Sequence, residues 1–428
     1  MIPELRFPDF RDAESWKEKT LEEVAKYENG KAHEQDIDVN GKFIVVNAKF
    51  ISTDGEVKKY TNTAFCPAKK GDILMVLSDV PNGRAIAKCF FVDKDDFYTV
   101  NQRICKLTPT KAEGKLLYYL LNRSPYFLSF DDGAKQTNLK NEDVLNCPLL
   151  LPKEPNEQQK IATCLSSLDE VIAGNSQKLD SLKTHKKFLM QNLFPQEGET
   201  IPNYRFPEFV NDGEWNSTRL NKIASISSGG TPSRAKTEYW NGNIPWASTT
   251  LIDFNEIKKV NEFITPLGLE NSSTKIFPKG TILMAMYGQG KTRGKVAILG
   301  LDASINQACA AITLKKGLNT NFVFQNLAGR YDEIRSISNP GGQENLSGEL
   351  IKNITICYPN VISGEQQKIA ECLSSLDDLI TSQSEKIEQL KLHKKGLMQG
   401  LFPKVEMEQE YNQRSASTVN SAFQLIEI

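Results

Sequence analysis

A stretch of 39 residues is written twice in nearly the same form in this chain, without a gap, at a constant offset of 208. The first copy runs from Glu157-Gln158-Gln159-Lys160-Ile161-Ala162 through Leu165-Ser166-Ser167-Leu168-Asp169 to Leu193-Phe194-Pro195. The second runs from Glu365-Gln366-Gln367-Lys368-Ile369-Ala370 through Leu373-Ser374-Ser375-Leu376-Asp377 to Leu401-Phe402-Pro403. A repeat of this length and fidelity requires a molecule built from two equivalent units.

The period inside each copy says what is repeated. Ile161, Leu165, Leu168, Ile172, Asn175, Leu179, Leu182, Lys186, Leu189 and Leu193 succeed one another in alternating steps of four and three. Ile369, Leu373, Leu376, Ile380, Gln383, Ile387, Leu390, Lys394, Leu397 and Leu401 keep the same steps. Eight of these ten positions are Leu or Ile in each copy, the seam that two helices need to pack knobs into holes, where a lone core helix would show a broader stripe. Asn156, with Glu157 and Gln159 after it, reads as an N-cap with a capping-box partner, and Gly364 holds the matching place in copy two. Pro195 and Pro403 disfavour helical geometry at the preceding Phe and stop each helix.

A second repeat sets the order of parts. Ile2-Pro3, Arg6-Phe7-Pro8, Phe10, Trp16 and Leu21 match Ile201-Pro202, Arg205-Phe206-Pro207, Phe209, Trp215 and Leu220 at an offset of 199. The chain therefore divides into a first domain (1–152), a first long helix (153–195), a second domain (196–359), a second long helix (360–403) and a polar tail (404–428) expected to be poorly ordered. The domains are related but divergent. Gly71-Asp72-Ile73-Leu74-Met75 answers Gly280-Thr281-Ile282-Leu283-Met284, and Asn101-Gln102 answers Asn306-Gln307, while the first halves barely align. Short apolar runs at Phe43–Val46, Ile73–Leu77, Ile282–Met286 and Val296–Leu299, broken by Gly, Asn and Lys, predict strands in mixed α/β domains with prominent loops.

Connectivity predicts how the helices pair. The second domain must join the end of the first helix to the start of the second, and Ile161 to Leu193 spans about 50 Å of helix. Antiparallel pairing brings those two ends together. The expected fold class is α/β (α+β): two mixed domains separated by two long helices in an antiparallel coiled coil, with pseudo-twofold symmetry. In symmetric antiparallel register Asn175 faces Ile387 and Gln383 faces Leu179.

Composition narrows the function classes. Apolar residues make up 39% and charged residues 25%, and no apolar run approaches the ~18 residues of a membrane span. The N-terminus has no secretory apolar segment, and eight scattered Cys without a CxxC predict reduced thiols in a cytoplasmic protein. His33, His185 and His393 form no metal-binding spacing with them. A net charge of −1 means that any nucleic-acid contact rests on local patches.

The duplicated EQQKIAxCLSSLD…HKK…LMQ…LFP helices, each after a variable domain, resemble those of the specificity subunit of type I restriction–modification systems, over residues 2–403. The Gly229-Gly230-Thr231-Pro232-Ser233, Ile244-Pro245-Trp246 and Gly280–Gly288 segments look like a common class of its target-recognition domain. The resemblance implies that each domain reads one half of a split, asymmetric site in double-stranded DNA while the helices fix the gap. It also implies docking of two methyltransferase subunits, joined by a nuclease/translocase. S-adenosylmethionine, ATP and Mg would then belong to partner chains, with no cofactor in this one.

Base reading calls for Arg on guanine and Asn or Gln on adenine. The candidates in domain two are Tyr287, Gln289, Lys291, Arg293 and Lys295 on one turn, Thr231, Ser233, Arg234 and Lys236 on another, and Ser248 and Thr249. In domain one they are Asn82 and Arg84, the latter answering Arg293, with Lys31 and His33. A rival motif competes for the same turn. Ala285 to Gly290-Lys291-Thr292 matches a relaxed P-loop, which would make the chain a nucleotide hydrolase and needs a helix starting at the Lys. The next run, Val296-Ala297-Ile298-Leu299, predicts a strand, hence a hairpin loop. No adenine-methyltransferase Asn/Asp-Pro-Pro-aromatic tetrad, GxGxxG after a strand or Cys/His nucleophile pair occurs, so the chain is expected to be non-catalytic.

Overall fold

The two repeats form single helices in the computed structural model, Pro155–Asn192 (38 residues) and Glu365–Leu401 (37 residues). The structure describes residues 1–80, 83–288, 291–337 and 345–403; Asn82, Gln289, Gly290 and the polar tail lie outside them. Every position of the 4–3 seam is buried or half-buried, whereas apolar residues off it, Val171, Phe188, Leu379 and Leu392, are exposed. The capping expectation is corrected. The first helix starts at Pro155, whose fixed φ and missing N–H suit a first-turn position, so Asn156 lies inside the helix.

The chain folds as two compact units, Met1–Gly174 with the chain from Ile387 onward, and Asn175–Lys386. Each unit therefore holds the first half of one long helix and the last half of the other. In the first unit, Leu397 and Leu401 pack with Ile161 and Leu165, and Lys394 Nζ reaches Asp169 Oδ1 at 2.5 Å. In the second, Leu189 and Leu193 pack with Ile369 and Leu373, and Lys186 Nζ reaches Asp377 Oδ1 at 2.6 Å. Within each unit the paired segments run in opposite directions. The Gln383 amide, one turn before Ile387, reaches across to donate to Asn175 Oδ1 at 2.8 Å, so the polar seam residues meet after all.

Glu157 and Glu365 do something other than cap. Arg6 donates from Nε and NH2 to both carboxylate oxygens of Glu157, each at 2.8 Å, with both side chains almost wholly buried. Arg205 grips Glu365 the same way, at 2.8 and 2.7 Å. The next residue clamps the domain. Gln158 Oε1 accepts from Glu113 N at 2.9 Å, and Gln366 Oε1 from Asn319 N at 3.0 Å. Glu113 and Asn319 cap the helices Gly114–Leu121 and Thr320–Gly329. The Arg-Phe-Pro lead-in, the domain and the long helix are thus tied together at one Glu-Gln pair in each unit.

Two larger sheets recur with the same design in each unit, beside two-stranded pairs such as Lys17–Thr20 with Pro148–Leu151 and Asn216–Arg219 with Thr355–Tyr358. In the first unit, Ala25–Asn29, Ile104–Pro109, Ile73–Val76 and Cys89–Phe91 form an antiparallel sheet in that order. A second sheet orders Tyr60–Thr61, Phe43–Val46, Tyr98–Val100 and Pro67–Ala68, its two central strands parallel. In the second unit, Ala224–Ser228, Cys309–Leu314, Ile282–Ala285 and Val296–Leu299 repeat the first sheet and add Asn255–Ile257 in parallel at the edge. Glu262–Ile264, Trp240–Ala247, Ala303–Ile305 and Ile276–Phe277 repeat the second.

Side-chain alternation along the central strands explains why these sheets stack. Ile73 and Met75 enter the core shared with the long helices, and Leu74 and Val76 the core shared with the second sheet. Ile282 and Met284, then Leu283 and Ala285, divide in the same way. Each fully buried aliphatic side chain contributes about 1.5–3 kcal/mol. Five of the eight thiols are buried, and all eight are free. Burial pushes Cys105 and Cys147 up to about 12, so they remain protonated packing groups. No helix among the described residues is long and apolar enough to cross a membrane.

Candidate nucleic-acid interface

In the second unit the Gly-Gly turn is a close backbone approach. A Cβ on Gly229 would lie 2.0 Å from Ile305 O, and one on Gly230 would lie 2.5 Å from Ser273 Oγ. A Cβ on Gly30 would likewise lie 2.0 Å from Asn101 O in the first unit, so the two turns are equivalent although their sequences diverge. The loop beyond the turn is specific to the second unit. Trp246 Nε1 donates to Gly230 O at 3.0 Å and Trp240 Nε1 to Ser233 O at 3.1 Å, pinning that loop to the strand Trp240–Ala247. The Arg234 guanidinium lies 3.7 Å over the Trp240 ring and donates to Glu262. Thr231 donates to Gln307, Lys236 Nζ to Tyr239 OH at 2.9 Å, and Ser248 Oγ pairs with Thr250 Oγ1 at 2.7 Å beside Thr249. Ser233, Arg234 and Lys236 are exposed, and Thr231, Ser248 and Thr249 half-exposed.

The turn between Ile282–Ala285 and Val296–Leu299 joins antiparallel neighbours. Residues 291–294 form turns and lead into the second strand, so no helix starts at Lys291 to aim its first-turn N–H groups at a phosphate. The P-loop alternative therefore fails on geometry, with Gly290 itself outside the described residues. Tyr287 and Lys291 are exposed, and Lys295 Nζ pairs with Asp253 Oδ1 at 2.5 Å. Arg293, expected on the surface, is only 6% exposed and donates from NH2 to Arg335 O at 3.0 Å. That inward placement makes it a brace under the loop. Tyr331 is a second brace, its hydroxyl donating to Lys291 O at 2.6 Å. No local pattern in the sequence marks it.

The first unit offers a different face. The Asp79 carboxylate accepts from Val80 N, Ala85 N and Ile86 N at 2.6–3.1 Å, drawing the hairpin turn around it and leaving Arg84 exposed. Lys31 is exposed, but His33 is fully buried. Its Nδ1 meets Lys31 O at 2.7 Å, its Nε2 meets Thr99 Oγ1 at 3.0 Å, and its ring packs on Phe65. His33 thus holds the turn from inside and is not an outward contact. Asn101 and Gln102 both donate to Glu34 Oε1, at 3.2 and 2.9 Å, a polar cluster that the sequence shows only as a repeated dipeptide. Among the described residues no group of three His, Cys, Asp or Glu is placed to hold a metal ion.

Known proteins share this sequence pattern and this geometry. The family model of the type I restriction modification DNA specificity domain matches residues 13–184 and 212–392. The specificity subunit of the Escherichia coli enzyme EcoR124I/EcoR124II is 27% identical over 287 residues, 63% of this chain and 65% of that protein. The MjaIX specificity subunit of Methanocaldococcus jannaschii is 31% identical over 180 residues, 41% of this chain and 40% of that protein. These matches thus span less than two thirds of each relative. The crystal structure of the S subunit from M. genitalium superposes with a TM-score of 0.64 at 18% identity, covering 95% of this chain and all of that one. At that identity the likeness speaks for a shared fold. With two matched segments that together span most of its length, this chain belongs to the type I restriction–modification DNA specificity family.

Proposed function

We propose that this chain is the sequence-specificity subunit of a type I complex that reads a bipartite, asymmetric site in double-stranded DNA, one half with residues 1–152 and the other with 196–359. The observation that carries the reading is a pair of domains with one sheet design and different exposed turns: Arg84 and Lys31 in one, Ser233, Arg234, Lys236, Tyr287 and Lys291 in the other. One scaffold with two different loop surfaces suits two different half-sites. The long helices, 153–195 and 360–403, act as an antiparallel coiled coil that sets the spacer and docks two methyltransferase subunits, and through them the nuclease/translocase. S-adenosylmethionine, ATP and Mg act on those partners, and this chain supplies no catalytic group.

The test is to express the chain with the methyltransferase subunit of its own system and to map methylated bases across a genome. The expected result is one motif of two short, unlike blocks separated by a fixed unspecified gap. A single continuous motif, or methylation independent of this chain, would overturn the proposal.

A further inference from the structure

Of the exposed cations among the described residues of the second unit, Arg234 alone is held as a rigid, charge-balanced plane. Its guanidinium lies 3.7 Å over Trp240 and 5.1 Å from the Trp246 ring, and the two indoles meet edge to face at 5.2 Å. Both indole N–H groups are anchored to carbonyls of the loop that carries Arg234. Glu262 stands opposite Trp246 in the strand pairing and accepts from Arg234 NH1. The Arg234 and Glu262 side chains remain 55% and 38% exposed. The remaining guanidinium N–H groups make no hydrogen bond among the described residues, and the second carboxylate oxygen accepts none.

This pair is poorly suited to phosphate and well suited to a base pair. Phosphate binding rewards unbalanced positive charge, and a carboxylate beside the arginine cancels it. A planar guanidinium presents two N–H groups to guanine O6 and N7, while a carboxylate accepts from the amino group of cytosine N4. In a G·C pair those groups are neighbours on the major-groove edge, as Arg234 and Glu262 are neighbours here. The geometry points to Arg234 and Glu262 as a joint reader of one G·C pair in the half-site of the second domain, with Trp240 and Trp246 as the platform that fixes the plane. Lys236 differs, since its ammonium is held by the Tyr239 hydroxyl and makes no carboxylate ion pair among the described residues. This assignment rests on the proposed DNA-recognition function and adds to it the residues and the base pair.

The test uses the assembled complex with its methyltransferase subunits, comparing wild type, Arg234→Lys and Glu262→Gln by methylome sequencing and by equilibrium binding to the native site and to a set with each base pair changed. Arg234→Lys keeps the charge and loses the bidentate plane. It is expected to leave one G·C position of one half-site unspecified, with discrimination there falling about 10- to 100-fold and every other position intact. Glu262→Gln should relax the same base pair. If Arg234→Lys retains the full motif, or weakens all sequences equally, the residue is a phosphate or structural contact and the assignment is overturned. Should Arg234→Lys fail to assemble, Glu262→Gln decides alone, and an unchanged motif or a change at another position overturns it. A wild-type complex with no bipartite motif would instead refute the underlying function, so the two failures are distinct.

Discussion

The buried Glu157 carboxylate accepts three hydrogen bonds, two from Arg6 and one from Trp16 Nε1 at 3.2 Å. Glu365 is its equivalent, but Trp215 Nε1 finds no partner among the described residues where Trp16 finds Glu157. A buried ion pair adds little net stability as a pair, yet removing one member leaves a buried charge uncompensated, at about 3–5 kcal/mol. Glu157→Ala is therefore expected to destabilise the first unit by that amount, and Arg6→Ala combined with Glu157→Ala by less than the sum of the single changes. Chemical denaturation of the four proteins of the cycle checks this, and additive effects would show that the two residues act separately. Burial also redefines His33 and Arg293. Both read as surface contacts in the sequence and both lie inside the fold, bonded to backbone carbonyls.

The long helix is the element most directly legible in the sequence, because its seam keeps a period that the chain itself contains. The proposed role of the helix as a spacer has a geometric consequence. Four residues inserted after Leu179 add ~6 Å of rise and rotate the C-terminal part of the helix by about 40°. The gap between half-sites in the methylation motif is expected to lengthen while the bases of both halves stay the same. Altered bases with an unchanged gap would show that the helices do not set the spacing. The half-buried Asn175–Gln383 hydrogen bond falls in the same region, where a polar pair within an apolar seam favours one register over its neighbours. The hairpin Ile282–Ala285 to Val296–Leu299 is legible for a related reason, two short apolar runs separated by a Gly-rich polar turn.

At the scale of the molecule, Lys and Arg number 52 and Asp and Glu 53, so the isolated chain has little charge with which to neutralise phosphates. Purified alone, it is expected to bind DNA weakly, with a shallow salt dependence, and to gain tight specific binding when methyltransferase subunits are added. It should neither transfer methyl groups nor hydrolyse ATP, and Lys291→Ala should change nothing in those assays. Hydrolysis by the isolated chain that disappears in Lys291→Ala would restore the nucleotide-hydrolase reading. By itself the sequence determined the twofold duplication, the two helices with their seam, the strands Ile282–Ala285 and Val296–Leu299 with their counterpart Ile73–Val76, and the family resemblance. All of these are written in residues close to one another along the chain or in one stretch compared with another. Only the tertiary structure decided that the barely alignable first halves of the domains contribute strands to the same second sheet. Its central strands, Phe43–Val46 with Tyr98–Val100 and Trp240–Ala247 with Ala303–Ile305, pair in parallel across more than fifty residues. Backbone hydrogen bonds of that range leave no mark on side-chain pattern. The structure alone also decided which polar residues face outward, since an arginine or histidine has the same letter whether it meets water or a buried carbonyl.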